Sequence, residues 1–273
     1  RNYESENIFT EDPKDKIMTG AFVPFGTSTT QGQVIKGKTP CTGSIMRIPL
    51  EGGQPEMVAW GLRNPYGLAL APNGDIYISE NGYDDRGSRP IWGTGDVLYK
   101  LQPGMWYGYP DFSAGVNMAD KEGFKVPGKD FVKPVMQNYP NTPPKPTAIF
   151  GVHSSANGMD FATNQSFGHT GEVFVAEFGD MAPNVGKVLA PVGFKVVRVN
   201  TETGVIEDFA VNKGKKHGPA SRLKKKGLER PLAVKFSPKG DALYIVDFGI
   251  LKMGEHGPEP QQGTGVIWKI TKK

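Results

Sequence analysis

Residues whose types could support chemistry are concentrated between Arg63 and Asp96. This stretch contains a group of acids whose carboxylates could bind a cation, namely Glu80, Asp84, Asp85 and Asp96. Carboxylate oxygens are the ligands that a hard divalent cation prefers. The same acids could equally be solvated, or paired with Arg86 and Arg89. Residue types alone leave both interpretations open.

A second set of polar residues lies further along the chain. His153 could transfer a proton near neutral pH, or it could be a structural group. Asp180 and Asp247 each lie at or just beyond the end of an apolar run, where they could line a cavity or cap a turn. These residues can act together only if the fold brings distant parts of the chain to one surface.

Three internal repeats supply that fold. Residues 61–82, 153–180 and 227–249 each contain an apolar strand pattern, a turn rich in glycine and a second apolar run. The second run ends in an acid each time, at Glu80, Glu177 and Asp247. We expect repeats near 60–100, 150–211 and 227–273, all within one domain that spans 1–273.

Shorter segments at 43–48, 95–100, 194–199 and 265–270 alternate apolar with polar residues, which is typical of half-buried strands. Two strand pairs per repeat make a four-stranded blade, and radial repetition of blades makes a β-propeller. At this repeat length the chain holds about three and a half blades. Closure of the ring is expected to need an N-terminal half or a second chain, because open sheet edges promote aggregation.

Composition excludes several classes of protein. The net charge is only +4, so a nucleic-acid surface is not indicated. No apolar run reaches the length of about 18 residues that a membrane span needs. Cys41 is the single cysteine, so no disulfide can form within the chain. The chain begins with Arg1 rather than methionine, which suggests a removed leader or a longer protein.

Four segments carry a resemblance to a known family. They read WGLRNP at 60–65, SENGYDDRGSRP at 79–90, GDV at 95–97 and WYGYPD at 106–111. In this pattern the chain resembles the glucose/sorbosone dehydrogenases, and weaker similarity continues to Lys273. The resemblance implies the C-terminal part of an all-β, six-bladed β-propeller.

The resemblance also implies a function. Members of the family oxidise an aldose sugar or a related alcohol by hydride transfer to pyrroloquinoline quinone (PQQ), with bound calcium. The carboxylates of PQQ require basic side chains, and calcium would polarise a quinone carbonyl. An extracytoplasmic location follows from the resemblance as well, whereas the sugar and the electron acceptor stay open.

Individual roles carry over by position. Arg63 and Asn64 match the Arg-Asn pair that contacts quinone and substrate, although Arg63 could instead hold a turn through a nearby carboxylate. The backbone carbonyls of Gly82 and Tyr83 match the positions that hold calcium. Arg230 matches a cofactor arginine, although it could be a surface residue.

Three departures from the family pattern stand out. Tyr66 occupies a position where the family has glutamine. Gly179 and Asp180 stand where a cofactor lysine is expected, and Lys187 is the nearest lysine that could replace it. The family's catalytic histidine belongs to an early blade, so Arg63 and His153 are the catalytic candidates here, and this chain alone is expected to be inactive.

Two other functions compete with the dehydrogenase. A lactonase-type hydrolase would use a channel metal without quinone, held by the three repeat-end acids. A non-catalytic propeller that binds sugar or protein would explain Tyr66 and the missing lysine. Metal dependence without quinone reduction would favour the hydrolase.

Overall fold

The computed structural model describes residues 2–12, 14–20, 23–36, 43–85, 89–181, 191–214, 216–254 and 257–272. These residues belong to two compact units, Arg1–Cys41 and Thr42–Lys273. Lys187, Arg86 and Cys41 lie outside the described residues.

The regular secondary structure of the described residues is almost entirely β-strand. In chain order they are β1 (Asn2–Glu6), β2 (Lys16–Gly20), β3 (Ser44–Arg47), β4 (Glu56–Trp60), β5 (Pro65–Leu70), β6 (Ile76–Glu80), β7 (Gly95–Lys100), β8 (Phe112–Ser113), β9 (Val116–Asn117), β10 (Ala148–Val152), β11 (Ala156–Phe161), β12 (Val173–Glu177), β13 (Lys195–Val199), β14 (Ile206–Ala210), β15 (Pro231–Phe236), β16 (Ala242–Asp247), β17 (Leu251–Gly254), β18 (Gly257–Pro260) and β19 (Val266–Thr271). The helical part of the described chain is one 3₁₀ turn, Glu122–Phe124. No helix in these ranges is long and apolar enough to cross a membrane.

The smaller unit is a hairpin. Strand β1 pairs antiparallel with β2, so that Asn2 lies opposite Gly20. The Asn2 amide donates to the Thr29 carbonyl at 2.9 Å, and its oxygen accepts the Thr29 N–H at 2.7 Å. A loop is thereby held beside the hairpin.

The larger unit consists of antiparallel sheets that each repeat one meander. Their strand orders are β5–β6–β7–β10, β11–β12–β13–β14 and β15–β16–β19, and we call them blades 1, 2 and 3. Strands β3 and β4 form a separate pair whose side chains pack against blade 1. The outer strand β10 reaches blade 1 only after the long excursion over 101–147, and nothing in the repeat pattern predicted it.

The core lies between the faces of neighbouring blades. Because side chains alternate along a strand, β12 serves two interfaces at once. Val173 and Val175 pack into the cluster shared with blade 1, whereas Phe174 and Ala176 pack into the cluster shared with blade 3. Each blade is therefore buried on both faces wherever a neighbour is present.

The first strands of the three blades approach one another closely. A Cβ atom added to Gly67 of β5 would collide with the Asn157 carbonyl of β11. One added to Gly158 of β11 would lie 2.6 Å from the Cβ of Ala233 in β15. Side-by-side inner strands of radially repeated meanders make a β-propeller, so the predicted all-β propeller is confirmed. The number of blades in the closed ring stays a prediction.

Candidate functional site

Equivalent residues of the three blades meet at one edge of the sheets. The register pairs Pro65 with Glu80 in blade 1, and Pro231 with Asp247 in blade 3. In blade 2 it pairs Ala156 with Glu177. Each strand-end acid therefore lies beside the turn that leads into the first, inner strand of its blade, which is β5, β11 or β15. We call this turn the inner-strand turn.

In blade 1 the buried acid Glu80 holds the inner-strand turn. Its Oε1 accepts the backbone N–H of Arg63 and, at 3.2 Å, that of Asn64. Burial raises the pKa of Glu80 to about 7, against the opposing effect of these two hydrogen bonds. The backbone of the Arg-Asn pair is therefore fixed, while the Asn64 side chain remains exposed.

The Arg63 side chain turns onto the loop after β6. Its Nη1 donates to the Gly82 carbonyl at 2.7 Å, and its Nη2 lies 3.0 Å from Asp84 Oδ2. The guanidinium carbon is 5.3 Å from the centre of the Tyr83 ring. Arg63 therefore closes this loop through a carbonyl, a carboxylate and a ring.

The carbonyls predicted to hold calcium already accept hydrogen bonds. The positive charge of Arg63 lies against Gly82, and the Thr94 hydroxyl donates to the Tyr83 carbonyl at 3.0 Å. A divalent cation at Gly82 would face that guanidinium at short range, which is unfavourable. The two carbonyls do not fit a calcium ion while Arg63 stays in this place.

The predicted acids do not converge on one point either. Asp96 is buried, and it accepts the Gly82 N–H at 2.7 Å, the Ser154 hydroxyl at 2.8 Å and the Ala156 N–H at 2.9 Å. Burial raises its pKa. Asp85 makes no hydrogen bond to the described residues. In the described part of the chain, no three His, Cys, Asp or Glu side chains form a group that could hold a metal.

The contact of Arg63 with Asp84 agrees with the alternative in which Arg63 pairs with a nearby carboxylate. The alternative in which these acids pair with Arg89 does not hold, and Arg86 lies outside the described residues. Arg89 Nη2 lies 2.7 Å from Asp111 Oδ1 instead. Asp111 also accepts the N–H groups of Val135 and Met136, at 2.8 Å each. Arg89 and Asp111 thus fasten the long excursion rather than the acidic loop.

Arg230 has a different environment from Arg63. It is only 5% exposed, and its N–H donates to Asp247 Oδ1 at 2.8 Å. Its Nη1 donates to the carbonyls of residues 178–180 at 3.0 to 3.3 Å. The rings of Phe178 and Phe194 lie 5.0 and 4.8 Å from its guanidinium carbon. Burial lowers the pKa of Arg230.

The remaining nitrogens of Arg230, Nε and Nη2, make no hydrogen bond to the described residues. One edge of a fixed, desolvated guanidinium is therefore left to receive an anionic ligand. The alternative of a surface arginine does not hold, because the Arg230 side chain is buried.

His153 lies between β10 and β11 with a left-handed φ of 61°. The register puts Ser154, not His153, at the position equivalent to Arg63, and His153 at the position of the buried Leu62. Its charge acts on Asp96, whose pKa it lowers against the larger effect of burial. His153 thus belongs to the junction of blades 1 and 2, and its catalytic role stays a prediction.

Sequence reasoning missed Phe178 and Phe194, because nothing local marks two rings as the walls of an arginine site. It also missed a cavity of about 10 Å³ that Glu80 shares with Tyr83, Tyr99 and Tyr109. That volume holds about one water molecule, so this cavity is not the place of an organic cofactor.

Comparison with known proteins gives one family. The model of the family described as glucose/sorbosone dehydrogenase matches residues 27–181. None of the curated proteins matches the chain.

Solved structures resemble the fold. A glucose dehydrogenase is 22% identical with a TM-score of 0.51, over 85% of this chain and 56% of that one. The PQQ domain of a pyranose dehydrogenase from Coprinopsis cinerea is 21% identical with a TM-score of 0.49, over 75% and 58%. The PQQ-bound aldose sugar dehydrogenase from Streptomyces coelicolor is 19% identical with a TM-score of 0.47, over 83% and 51%. The chain spans about half the length of the structures that it matches.

Proposed function

The chain belongs to the glucose/sorbosone dehydrogenase family, and we propose that it forms part of a PQQ-dependent enzyme that oxidises an aldose sugar or a related alcohol. The observation that carries this proposal is Arg230. A guanidinium held between two rings, with one edge that has no hydrogen-bond partner among the described residues, suits a carboxylate of the quinone.

Other residues of the same edge would complete the cofactor site. The exposed side-chain amide of Asn64 belongs to a turn whose backbone Glu80 holds, so it can donate to an oxygen of the quinone. Lys187, which lies outside the described residues, stays a candidate for a cofactor carboxylate from the resemblance alone. When bound, PQQ supplies the acceptor for the hydride of the sugar. The chain's own part is to bind and orient it.

Calcium stays a prediction from the resemblance. It would have to displace Arg63 from the Gly82 carbonyl, and the reaction proposed here assigns it no step. Arg63, once released, could reach quinone or substrate, as the resemblance implies.

A further proposal concerns the strands that cover the exposed face of blade 1. Tyr66, Leu68 and Leu70 form an apolar stripe on β5, each at least half exposed, on the face away from β11. We propose that further strands of the propeller, from an N-terminal half or a second chain, cover this stripe. The solution mass of the 273-residue chain tests this, since a well-folded monomer that does not associate would contradict it.

An extracytoplasmic location is proposed on the resemblance alone. Fractionation of cells that express the full-length protein tests it. Recovery in the cytoplasm would refute it.

The function is tested by titrating full-length protein with PQQ and following quinone absorbance as aldoses are added. We expect saturable binding and sugar-dependent reduction. Arg230→Ala should weaken binding by about 10- to 100-fold, since hydrogen bonds to charged groups contribute about 1.5–3 kcal/mol. Arg222→Ala, on the exposed surface, is the matched control and should bind normally.

Each negative result has a meaning. Folded protein that binds no PQQ would refute the proposal. Binding without reduction by any sugar would favour the non-catalytic propeller. The lactonase alternative receives no support from the geometry, because Glu80 and Asp247 are both engaged by backbone N–H groups.

A further inference from the structure

Two inner-strand turns are held by the same device. In blade 1, Glu80 accepts the consecutive N–H groups of Arg63 and Asn64. In blade 3, Asp247 accepts those of Glu229 and Arg230, at 2.8 Å each. We propose that Asp247 is a positioning residue that sets the Arg230 guanidinium for an anionic ligand, as Glu80 sets the Arg-Asn pair of blade 1.

The carboxylate of Asp247 is fully engaged. Oδ1 accepts the N–H of Arg230 and, at 3.1 Å, that of Gly249. Oδ2 accepts the N–H of Glu229 and, at 3.2 Å, the indole Nε1–H of Trp268 in β19. The side chain therefore joins the inner-strand turn, the loop after β16 and the third strand of blade 3.

This anchorage decides where the Arg230 side chain reaches. From its fixed backbone the side chain extends to blade 2, where the carbonyls of residues 178–180 accept hydrogen bonds from Nη1. Phe178 packs on Phe248 of blade 3 with ring centres 5.6 Å apart. The guanidinium thus depends on the alignment of two blades, and Asp247 fixes one of them.

Blade 2 provides an internal comparison. Glu177 has the same register, yet it accepts neither of the backbone N–H groups of Ser154 and Ser155; the Ser154 N–H donates to the Gly151 carbonyl at 3.1 Å instead. The partner of Glu177 is Lys195, at 4.0 Å. This turn contains Ser154 and Ser155 and no arginine. Among the three blades, the strand-end acid accepts backbone N–H groups of the inner-strand turn only in the two blades whose turn contains an arginine.

The part of the inference that concerns the ligand rests on the proposed function. A ligand with a carboxylate would meet the Nε and Nη2 edge of Arg230 only while Nη1 is held on blade 2. Loss of Asp247 should therefore weaken such a ligand without removing any group that touches it.

The first measurement needs no cofactor. We expect the two aromatic rings beside Arg230 to shift the resonance of its Nε–H upfield, and NMR of arginine-labelled full-length protein measures this shift. In Asp247→Asn, two of the four donors lose their acceptor whichever way the amide turns. We expect the upfield shift of Arg230 to be lost while circular dichroism shows a folded protein. Glu177→Gln, the matched control in blade 2, should keep it. An unchanged shift in Asp247→Asn overturns the inference.

The second measurement is PQQ affinity. Asp247→Asn should bind about tenfold more weakly, and Glu177→Gln as tightly as the parent protein. Unchanged affinity in Asp247→Asn, where Arg230→Ala binds poorly, overturns the role toward the ligand. If the parent protein itself binds no PQQ, the proposed function fails while the NMR result still decides the positioning.

A milder variant covers the case in which Asp247→Asn does not fold. Trp268→Phe removes the indole donor of Asp247 and keeps an aromatic ring at this position. It should move the Arg230 resonance in the same direction by a smaller amount. No movement in this folded variant overturns the inference.

Discussion

Glu177 is a buried acid that should make the protein less stable as the pH rises. It is only 3% exposed at the end of β12. Burial raises its pKa from 4.5 to about 7, opposed by Lys195 and reinforced by Asp96 and Asp208. We expect Glu177→Gln to stabilise the protein above pH 7 and to change little at pH 4.

The sign follows from proton binding. The folded state has the higher pKa, so between pH 4.5 and 7 it binds more protons than the unfolded state. The free energy of unfolding therefore falls over this window. The full cost of the ionised Glu177 above pH 7 is about 3 kcal/mol. The amide carries no charge and avoids that cost. Lys195 keeps a partner in the variant, since its Nζ is 2.6 Å from Asp208.

Urea denaturation of both proteins at pH 4, 6 and 8 measures the effect. The difference in the free energy of unfolding should grow with pH and level off above 7. Glu202→Gln, on the exposed surface of the same blade, is the control and should show no such trend. A variant that is equally destabilised at all three pH values would refute the reasoning, because it would show a structural role for the carboxylate rather than a cost of its charge.

Three further outcomes are expected. Phe174→Ala should lower the free energy of unfolding by about 3–5 kcal/mol in urea denaturation, because this fully buried ring joins blades 2 and 3; a loss below about 1 kcal/mol would contradict this. Gly61→Ala should abolish folding as seen by circular dichroism, because its Cβ would overlap the Trp106 ring at a positive φ of 71°. Gly104→Ala, at a φ of 79° with open space around it, should cost only about 1–2 kcal/mol, and equal losses would refute the packing argument. Arg63→Ala should bind calcium more tightly than the parent protein in calorimetric titration, because the variant frees a carbonyl from a positive charge; weaker binding would show that Arg63 supports the ion.

The sequence was sufficient for the two main strands of each repeat and for four shorter strands, although it did not predict the outer strand β10. Alternation at 43–48, 95–100, 194–199 and 265–270 predicted strands that the structure contains as β3, β7, β13 and β19. The acid after each second apolar run marked the same sheet edge three times. Such features are local, since side-chain alternation and turn residues act within a few positions.

The sequence did not predict the hydrogen bonds between residues of different blades. Asp96 bonds to residues 154 and 156, and Arg230 to carbonyls at 178–180, each pair separated by fifty residues or more. The strand-end acid accepts backbone N–H groups of its inner-strand turn in blades 1 and 3 but not in blade 2, and no local sequence pattern distinguishes the three blades.

The sequence by itself therefore determined the fold class, the family and the set of candidate groups. Only the tertiary structure decided that Arg63 closes the acidic loop where calcium was expected, and that Arg230 is buried with one edge unpaired among the described residues. The physical reason is that a charged group takes its role from its neighbours. Those neighbours are set by the packing of blades, which brings together residues that are far apart in the chain.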